Sequence, residues 1–155
     1  MVYSNSSMNL RKKKVLAVFL EKDNLKFLLY TGKLRTFAGQ ITFAPEVVRD
    51  GFIADSEKFS SQVKIAFAQK AALHEASEVV MFISPDKAFT KTMPASESLD
   101  SFVHGLPYFK EELVINSEGK DPITYIAFEK KLVEDLQRPF LDAGKKILAV
   151  NSAAN

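Results

Sequence analysis

Apolar and polar positions in the first third of the chain are arranged as in β-strands. Two runs of strand-forming residues, 15–20 (VLAVFL) and 25–30 (LKFLLY), flank the polar turn 21–24 and predict a hairpin. A third run, 34–43, follows a glycine-containing turn and ends before Pro45, because proline cannot donate to a central strand ladder. The chain is therefore predicted to begin with a three-stranded meander.

The remaining apolar positions predict helices alternating with strands. Amphipathic helical spacing predicts helices over 56–75, from Ser96 onward, and over 129–143, the last ending before Gly144. Short β-rich runs predict further strands at 78–83, 87–93, 123–128 and 145–150. The resulting order, βββ-α-ββ-α-β-α-β, predicts a mixed α/β or α+β fold and not a helical bundle or a β-sandwich. Most phenylalanines fall on the apolar side of these patterns and are predicted core residues, including Phe59, Phe67, Phe82, Phe102, Phe128 and Phe140.

Composition places the chain among soluble globular proteins. It has 155 residues, of which 46% are hydrophobic and 26% charged, enough apolar material for one substantial core. The absence of cysteine excludes a disulfide scaffold and any cysteine-ligated metal site. No apolar run approaches the roughly 20 residues that a membrane span needs, so we expect any membrane contact to be peripheral.

One basic segment stands out, although the net charge is only +2. Arg11, Lys12, Lys13 and Lys14 precede the first predicted strand, at the end of a polar leader (1–12) that we expect to be disordered. The segment has two interpretations. It is either a solvated flank that protects a strand edge or a contact for anionic lipid or nucleic acid, and the low net charge favours the first.

The sequence carries no recognisable catalytic or metal-binding motif. His74 and His104 have no sequence partner, and without cysteine they make a poor zinc set. The adjacent acids Glu111-Glu112 and Glu134-Asp135 would point about 100° apart on a helix, so neither pair converges on one atom. Because P-loop, G-x-G-x-x-G and G-x-S-x-G patterns are also absent, we expect no metal, no cofactor and no enzymatic activity.

Four segments, taken in order, carry a resemblance to a known family: 50–55 (DGFIAD), 79–94, 99–113 with the corner LPYF at 106–109, and 123–150. In this order they resemble PilM-like proteins, the actin-like cytoplasmic components of type IV pilus assembly that are related to the division protein FtsA. The first segment resembles the joint that leads into the family's first long helix, and the second resembles its following strand pair. The third takes the place of its next helix, and the fourth is similar to its last strand-helix-strand unit.

The resemblance implies an actin-like (ribonuclease H-like) lobe that begins with the β-meander and carries an inserted small α+β subdomain. The lobe would comprise residues 13–75 and 122–151, and the subdomain residues 76–121. The chain also ends near the point where a full-length relative would start its second nucleotide-holding lobe.

The first hairpin departs from the family at its nucleotide loop. With Lys26 aligned on the family's lysine, Ala17 and Glu21 fall on two glycines and Phe19 falls on an aspartate. Glycines let backbone N–H groups approach phosphate, whereas glutamate adds bulk and negative charge. The aspartate helps organise the metal ion, which phenylalanine cannot do. The resemblance therefore implies a degenerate nucleotide site.

The resemblance also implies a membrane-anchored partner, since PilM-like proteins hold the short cytoplasmic tail of an inner-membrane protein beside the inserted subdomain. The residues expected to make that contact are Phe89, Thr90, Lys91, Met93, Tyr108 and Phe109. FtsA-like relatives use the equivalent subdomain for self-association, so a homo-oligomer is a further expectation.

Three functional hypotheses follow. The first is a non-enzymatic, cytoplasmic actin-like adaptor, held at the inner membrane through a pilus or secretion partner and not binding nucleic acid. The second is a fragment of an actin-like ATPase whose second lobe is missing. The third is a lipid- or nucleic-acid-binding module that uses the basic segment.

Overall fold

A computed structural model describes residues 13–153, which form a five-stranded sheet, a three-stranded sheet, a two-stranded ribbon and four α-helices. The larger sheet contains β1 (Lys14–Leu20), β2 (Asn24–Thr31), β3 (Leu34–Thr42), β6 (Glu78–Ile83) and β10 (Lys146–Ser152). The smaller sheet contains β7 (Ala88–Met93), β8 (Leu113–Glu118) and β9 (Ile123–Glu129). The helices are α1 (Ser56–Gln69), α2 (Ala71–His74), α3 (Leu99–His104) and α4 (Lys130–Asp142), and a two-stranded ribbon joins β4 (Val48–Arg49) to β5 (Phe52–Ile53).

The larger sheet has the strand order β10-β6-β1-β2-β3. The strands β1, β2 and β3 pair antiparallel as the predicted meander, whereas β6 pairs parallel with both β1 and β10. Because β1 has neighbours on both sides, it is not an edge strand. The interpretation that the basic segment protects the edge of this strand is therefore wrong, for a reason that only the long-range pairing of β1 with β6 provides.

The main core lies between this sheet and the helices α1 and α4. Alternate residues of β1, namely Leu16, Val18 and Leu20, are fully or almost fully buried on this side, as expected of a strand whose side chains alternate between two faces. Phe67 of α1 meets Phe27 of β2 and Phe140 of α4 edge to face, with ring centroids 5.5 Å and 5.4 Å apart. Packing among these three rings holds both helices against the sheet.

The smaller sheet, of order β7-β9-β8, carries its own core. This second core consists of Met93, Phe102, Val103, Leu113 and Ala127, with α3 supplying two of the five. Its extent differs from the predicted subdomain 76–121. The strand β6 belongs to the larger sheet, and β9 pairs with β7 and β8 in the smaller one, because pairing partners distant in sequence decide which sheet a strand joins.

Several predicted elements are confirmed, among them the meander, β6 and the start of α1. Asp55 caps that helix by accepting a hydrogen bond from the Lys58 N–H at 3.0 Å. Other predictions are wrong in detail. The helix expected over 56–75 is interrupted at Lys70, whose backbone is extended, and α3 begins after Ser98 and not at Ser96. The strand β8 was not predicted.

The residues at the end of α4 determine how the chain leaves this helix and begins β10. Gly144 has a φ of +78°, a conformation that favours glycine. Its N–H donates to Leu141 O and the Lys145 N–H donates to Phe140 O, which is the bond pattern of a glycine-terminated helix. The Lys145 side chain is therefore directed into the protein, where it is only 8% exposed and its Nζ donates to Leu73 O and Ala76 O.

We expect Lys145 to make stability rise with pH in the alkaline range. Burial removes water from the ammonium group and lowers its pKa below the ordinary 10.5. Between the lowered folded pKa and the ordinary unfolded pKa, the unfolded state binds more protons, so the free energy of unfolding increases as pH rises. Urea unfolding of the wild type and of Lys145→Met at several alkaline pH values should show this increase in the wild type alone. Parallel pH profiles for the two proteins would contradict it.

Candidate functional site

The turn between β1 and β2 is held in one conformation by the main chain. The Glu21 N–H donates to Asn24 O at 2.9 Å, and the carbonyls of Lys22 and Asp23 accept from Gly51 N–H at 3.0 Å and Phe43 N–H at 2.8 Å. Gly51 has a φ of +78°, a backbone conformation that favours glycine.

The residues of the predicted degenerate nucleotide loop lie together at this end of the sheet. Phe19 stacks on Phe82 of the adjacent β6, with ring centroids 4.6 Å apart and planes 9° from parallel. Glu21 Oε1 lies 3.1 Å from Lys26 Nζ, so the carboxylate and the ammonium neutralise each other. Ala17 lies two residues before Phe19 on the same face of β1 and is almost fully buried.

A cavity of about 440 Å³ opens beside this group, at the carboxyl ends of β1 and β6. Ligands of open α/β sheets commonly bind at this position. One wall is the Phe19–Phe82 pair, and the opposite side is formed by Glu21, Lys22 and Asp23 of the turn. The site thus combines an apolar wall with a solvent-exposed ion pair, and the Phe82 ring could not have been assigned to it without the register of β1 on β6.

A second cavity, of about 470 Å³, lies between α1 and α4. The Ser60 Oγ at its base is buried without a hydrogen-bond partner among residues 13–153. At its rim Lys64 Nζ donates to Asp142 Oδ2 at 2.9 Å, which lowers the pKa of that carboxyl below its ordinary value. Glu57 and Arg138 line the same cavity, and we assign no chemistry to it.

The residues expected to contact a partner lie around the smaller sheet. Among residues 13–153, Phe109 is the most exposed of the large apolar side chains, at 77%. Its backbone is nevertheless fixed, because its N–H donates to Glu112 Oε2 and its carbonyl accepts from the Glu112 N–H, both at 2.9 Å. Tyr108 packs against Phe89 with ring centroids 5.7 Å apart, and a cavity of about 340 Å³ adjoins Tyr108 and Phe109.

The strand β7 is an edge of the smaller sheet and pairs only with β9 within residues 13–153. Thr90 and Lys91 are exposed along it. Met93 is only 2% exposed and belongs to the second core. Its predicted role as a contact residue is therefore wrong, because the β-alternation that exposes Thr92 turns Met93 inward.

The basic segment is partly neutralised. Arg11 and Lys12 lie outside the described residues. Lys13 Nζ is 3.6 Å from Glu78 Oε1, and Lys14 pairs with Glu75. Each described lysine of the segment thus has an acidic neighbour.

Metal-binding and membrane-spanning features were also sought. No cluster of three or more histidine, aspartate or glutamate side chains suited to a metal ion occurs between residues 13 and 153. No helix in that part of the chain combines the length and apolar character needed to cross a membrane.

No protein-family model and no curated protein sequence matches this chain. Several solved structures are similar to it in fold. A PilM-PilN type IV pilus biogenesis complex matches over 91% of this chain and 48% of its own, with a TM-score of 0.66 at 13% identity. A Bacteroides thetaiotaomicron protein with an actin-like ATPase fold and unknown function matches over 92% and 53%, with a TM-score of 0.56 at 12% identity. The chain has an actin-like ATPase fold.

A third similar structure is the cytoplasmic domain of EpsL, an inner-membrane component of the type II secretion system of Vibrio cholerae. It matches over 90% of this chain and 57% of its own, with a TM-score of 0.55 at 10% identity. The chain thus spans about half the length of the structures it matches. The fold class predicted from the sequence, including the actin-like lobe, is confirmed.

We expect the Phe19–Phe82 stack to be an energetically coupled pair. Stacked aromatic rings contribute about 0.5–1.5 kcal/mol beyond their buried area. A double-mutant cycle of Phe19→Leu and Phe82→Leu, followed by urea unfolding, should give a coupling energy in that range. Phe19→Leu combined with Phe109→Leu is the control, because these two side chains share no contact and should be additive. Additivity in both cycles would contradict the coupling.

Proposed function

We propose that this chain is a non-enzymatic, PilM-like adaptor that docks a short cytoplasmic peptide of a membrane-anchored partner. It would act in the cytoplasm, peripheral to the inner membrane, as part of a pilus or secretion assembly. The likeness to the PilM-PilN complex and to the cytoplasmic domain of EpsL supports this class of function.

The observation that carries the proposal is the surface around Phe109. Phe109 carries a large apolar ring that is 77% exposed on a fixed backbone. Binding through this ring would not require ordering of the main chain, which favours its use as a contact residue. It lies in the same small subdomain as the unpaired edge of β7. Edge strands capture extended peptides through main-chain hydrogen bonds, while neighbouring apolar pockets receive alternate side chains.

The non-enzymatic part of the proposal is supported by the group at the β1–β2 turn. Phosphate binding requires backbone N–H groups in close approach and uncompensated positive charge. Here the Lys26 ammonium lies 3.1 Å from the Glu21 carboxylate, which offsets its positive charge, and Phe19 presents a ring where the resemblance expects a metal-organising carboxylate. These features disfavour the alternative of an ATPase fragment.

The alternative of a lipid- or nucleic-acid-binding module has less support. Electrostatic binding of polyanions needs several lysine or arginine side chains free to contact phosphates. Lys13 and Lys14 have Glu78 and Glu75 as neighbours, and the net charge of the chain is only +2. We therefore propose no role for the basic segment.

We expect the chain not to bind nucleotide. Isothermal titration calorimetry of the full chain with magnesium and ATP should show no saturable heat. At this turn Glu21 offsets the charge of Lys26, and Phe19 cannot bind a metal ion. The melting temperature should also stay unchanged in saturating ATP, since a ligand raises it only if it binds the folded state. A micromolar dissociation constant would contradict this prediction and favour the ATPase-fragment alternative.

We expect peptide binding to depend on Phe109. Where a single-span membrane protein is encoded next to this chain, synthetic peptides of its cytoplasmic tail are the probes. Their affinity, measured by fluorescence anisotropy, should fall about tenfold or more in Phe109→Ala, as for a central contact residue. Leu34→Ala is a matched control, because Leu34 on β3 is 66% exposed but lies on the larger sheet. Equal loss in both variants, or no binding of the tail, would contradict the proposal.

A further inference from the structure

The corner that carries Phe109 joins α3 to β8 and is anchored by packing at both ends. On the α3 side, Tyr108 packs against Phe89 of β7 with ring centroids 5.7 Å apart. On the β8 side, Leu113 is buried and belongs to the second core. Between these anchors lie four residues, 109–112, all of which are exposed. Packing therefore holds the two ends of the corner but not its middle.

Hydrogen bonds between Phe109 and Glu112 order the middle of the corner. Glu112 Oε2 accepts from the Phe109 N–H at 2.9 Å, and the Glu112 N–H donates back to Phe109 O at the same distance. A bond from a backbone N–H to a carboxylate is charge-assisted and stronger than a bond between neutral groups. Phe109 is held with a φ of −75° and a ψ of 155°. The direction in which its side chain leaves the main chain is thus set by an acid three residues later.

We propose that Glu112 is a positioning residue for the binding of the partner peptide. This inference rests on the proposed function, in which Phe109 is the central contact. Glu112 need not touch the peptide. It keeps the corner in the conformation that the peptide binds, so that the ordering of four exposed residues is not a cost of binding.

The placement of Phe109 also shapes the cavity of about 340 Å³ beside it. Val103, Leu106 and Tyr108 line this cavity together with Phe109. Val103 is part of the second core, and Leu106 and Tyr108 pack against that core, whereas Phe109 does neither. Loss of the bonds to Glu112 would therefore affect two parts of the contact surface, the exposed ring and one wall of the adjacent cavity.

The size of the effect follows from the population of the ordered corner. When only a fraction of the molecules has the binding conformation, the apparent dissociation constant is the intrinsic one divided by that fraction. Loss of a hydrogen bond to a charged group shifts such a balance by a factor of about ten or more. Because part of this shift is absorbed where the ordered form is well populated, we expect Glu112→Ala to weaken peptide binding about threefold to tenfold.

The kinetics of binding distinguish a positioning residue from a contact residue. Loss of a contact acts chiefly on the dissociation rate, which is the expectation for Phe109→Ala. A smaller population of ordered corners lowers the association rate instead. The dissociation rate then stays nearly unchanged, because the bound peptide holds the corner in place. For Glu112→Ala we therefore expect a threefold to tenfold loss in the association rate.

Stopped-flow fluorescence anisotropy tests this with the tail peptides used for Phe109 and with four forms of the full chain: the wild type, Glu112→Ala, Glu112→Gln and Glu111→Ala. Glu112→Gln should restore most of the affinity, because glutamine can accept the same hydrogen bond. Glu111→Ala is the matched control. It removes the neighbouring exposed acid, whose side chain makes no hydrogen bond to Phe109 within residues 13–153.

Amide hydrogen exchange gives a second readout that needs no peptide. The Phe109 N–H should exchange faster in Glu112→Ala than in the wild type, and Glu112→Gln should largely restore its protection. Circular dichroism and a melting curve establish that each variant is folded. Unchanged exchange in Glu112→Ala would overturn the proposal.

The binding outcomes separate this inference from the proposed function. A wild type that binds the tail, with Glu112→Ala binding it equally well, would overturn the role of Glu112 and leave the proposed function standing. Equal losses in Glu112→Ala and Glu112→Gln, or in Glu112→Ala and Glu111→Ala, would overturn it in favour of a general effect of charge. A change confined to the dissociation rate would make Glu112 a contact residue instead. A wild type that does not bind the tail would overturn both proposals.

Discussion

The parallel pairing of β1 with β6 is the constraint on which the rest of the structure depends. Parallel neighbours cannot be joined by a tight turn, and the intervening chain supplies β2, β3 and α1. The same register fixes both faces of the sheet. It places Leu16 and Val18 beside Val79 and Met81 under the helices, and it places Phe19 against Phe82 on the opposite side. The main core, the strand-end cavity and the Phe19–Phe82 stack therefore all follow from one pairing.

The sequence predicts those elements whose signals are local. The meander has clear alternation and turns, α1 has a capping aspartate, and α4 ends at a glycine with positive φ. It does not predict β8, because 113–118 (LVINSE) turns polar after three apolar residues and becomes a strand only by pairing with β9. The assignment of β6 and β9 to different sheets was missed for the same reason, since hydrogen bonds to distant segments decide it and no local pattern encodes them.

The candidate sites were predictable to a similar degree. The exposed Phe109 and the replaced residues Ala17, Phe19 and Glu21 could be selected from the sequence, because they depend on identity at particular positions. Two features of these sites could not be predicted from the sequence. The burial of Met93 depends on α3 closing the second core, and the stack of Phe19 on Phe82 depends on the register of strands that lie about 60 residues apart in sequence.

Phe19 bears directly on the proposal that this chain is non-enzymatic. A carboxylate at the end of β1 would need water, a metal ion or a cationic side chain, because an unpaired charge is costly to bury. An aromatic ring at the same position needs an apolar neighbour instead, since exposing it to water is unfavourable, and Phe82 is that neighbour. The pairing of β1 with β6 thus supplies the contact that the ring requires, and the proposal that this end of the sheet does not serve nucleotide chemistry rests on that contact.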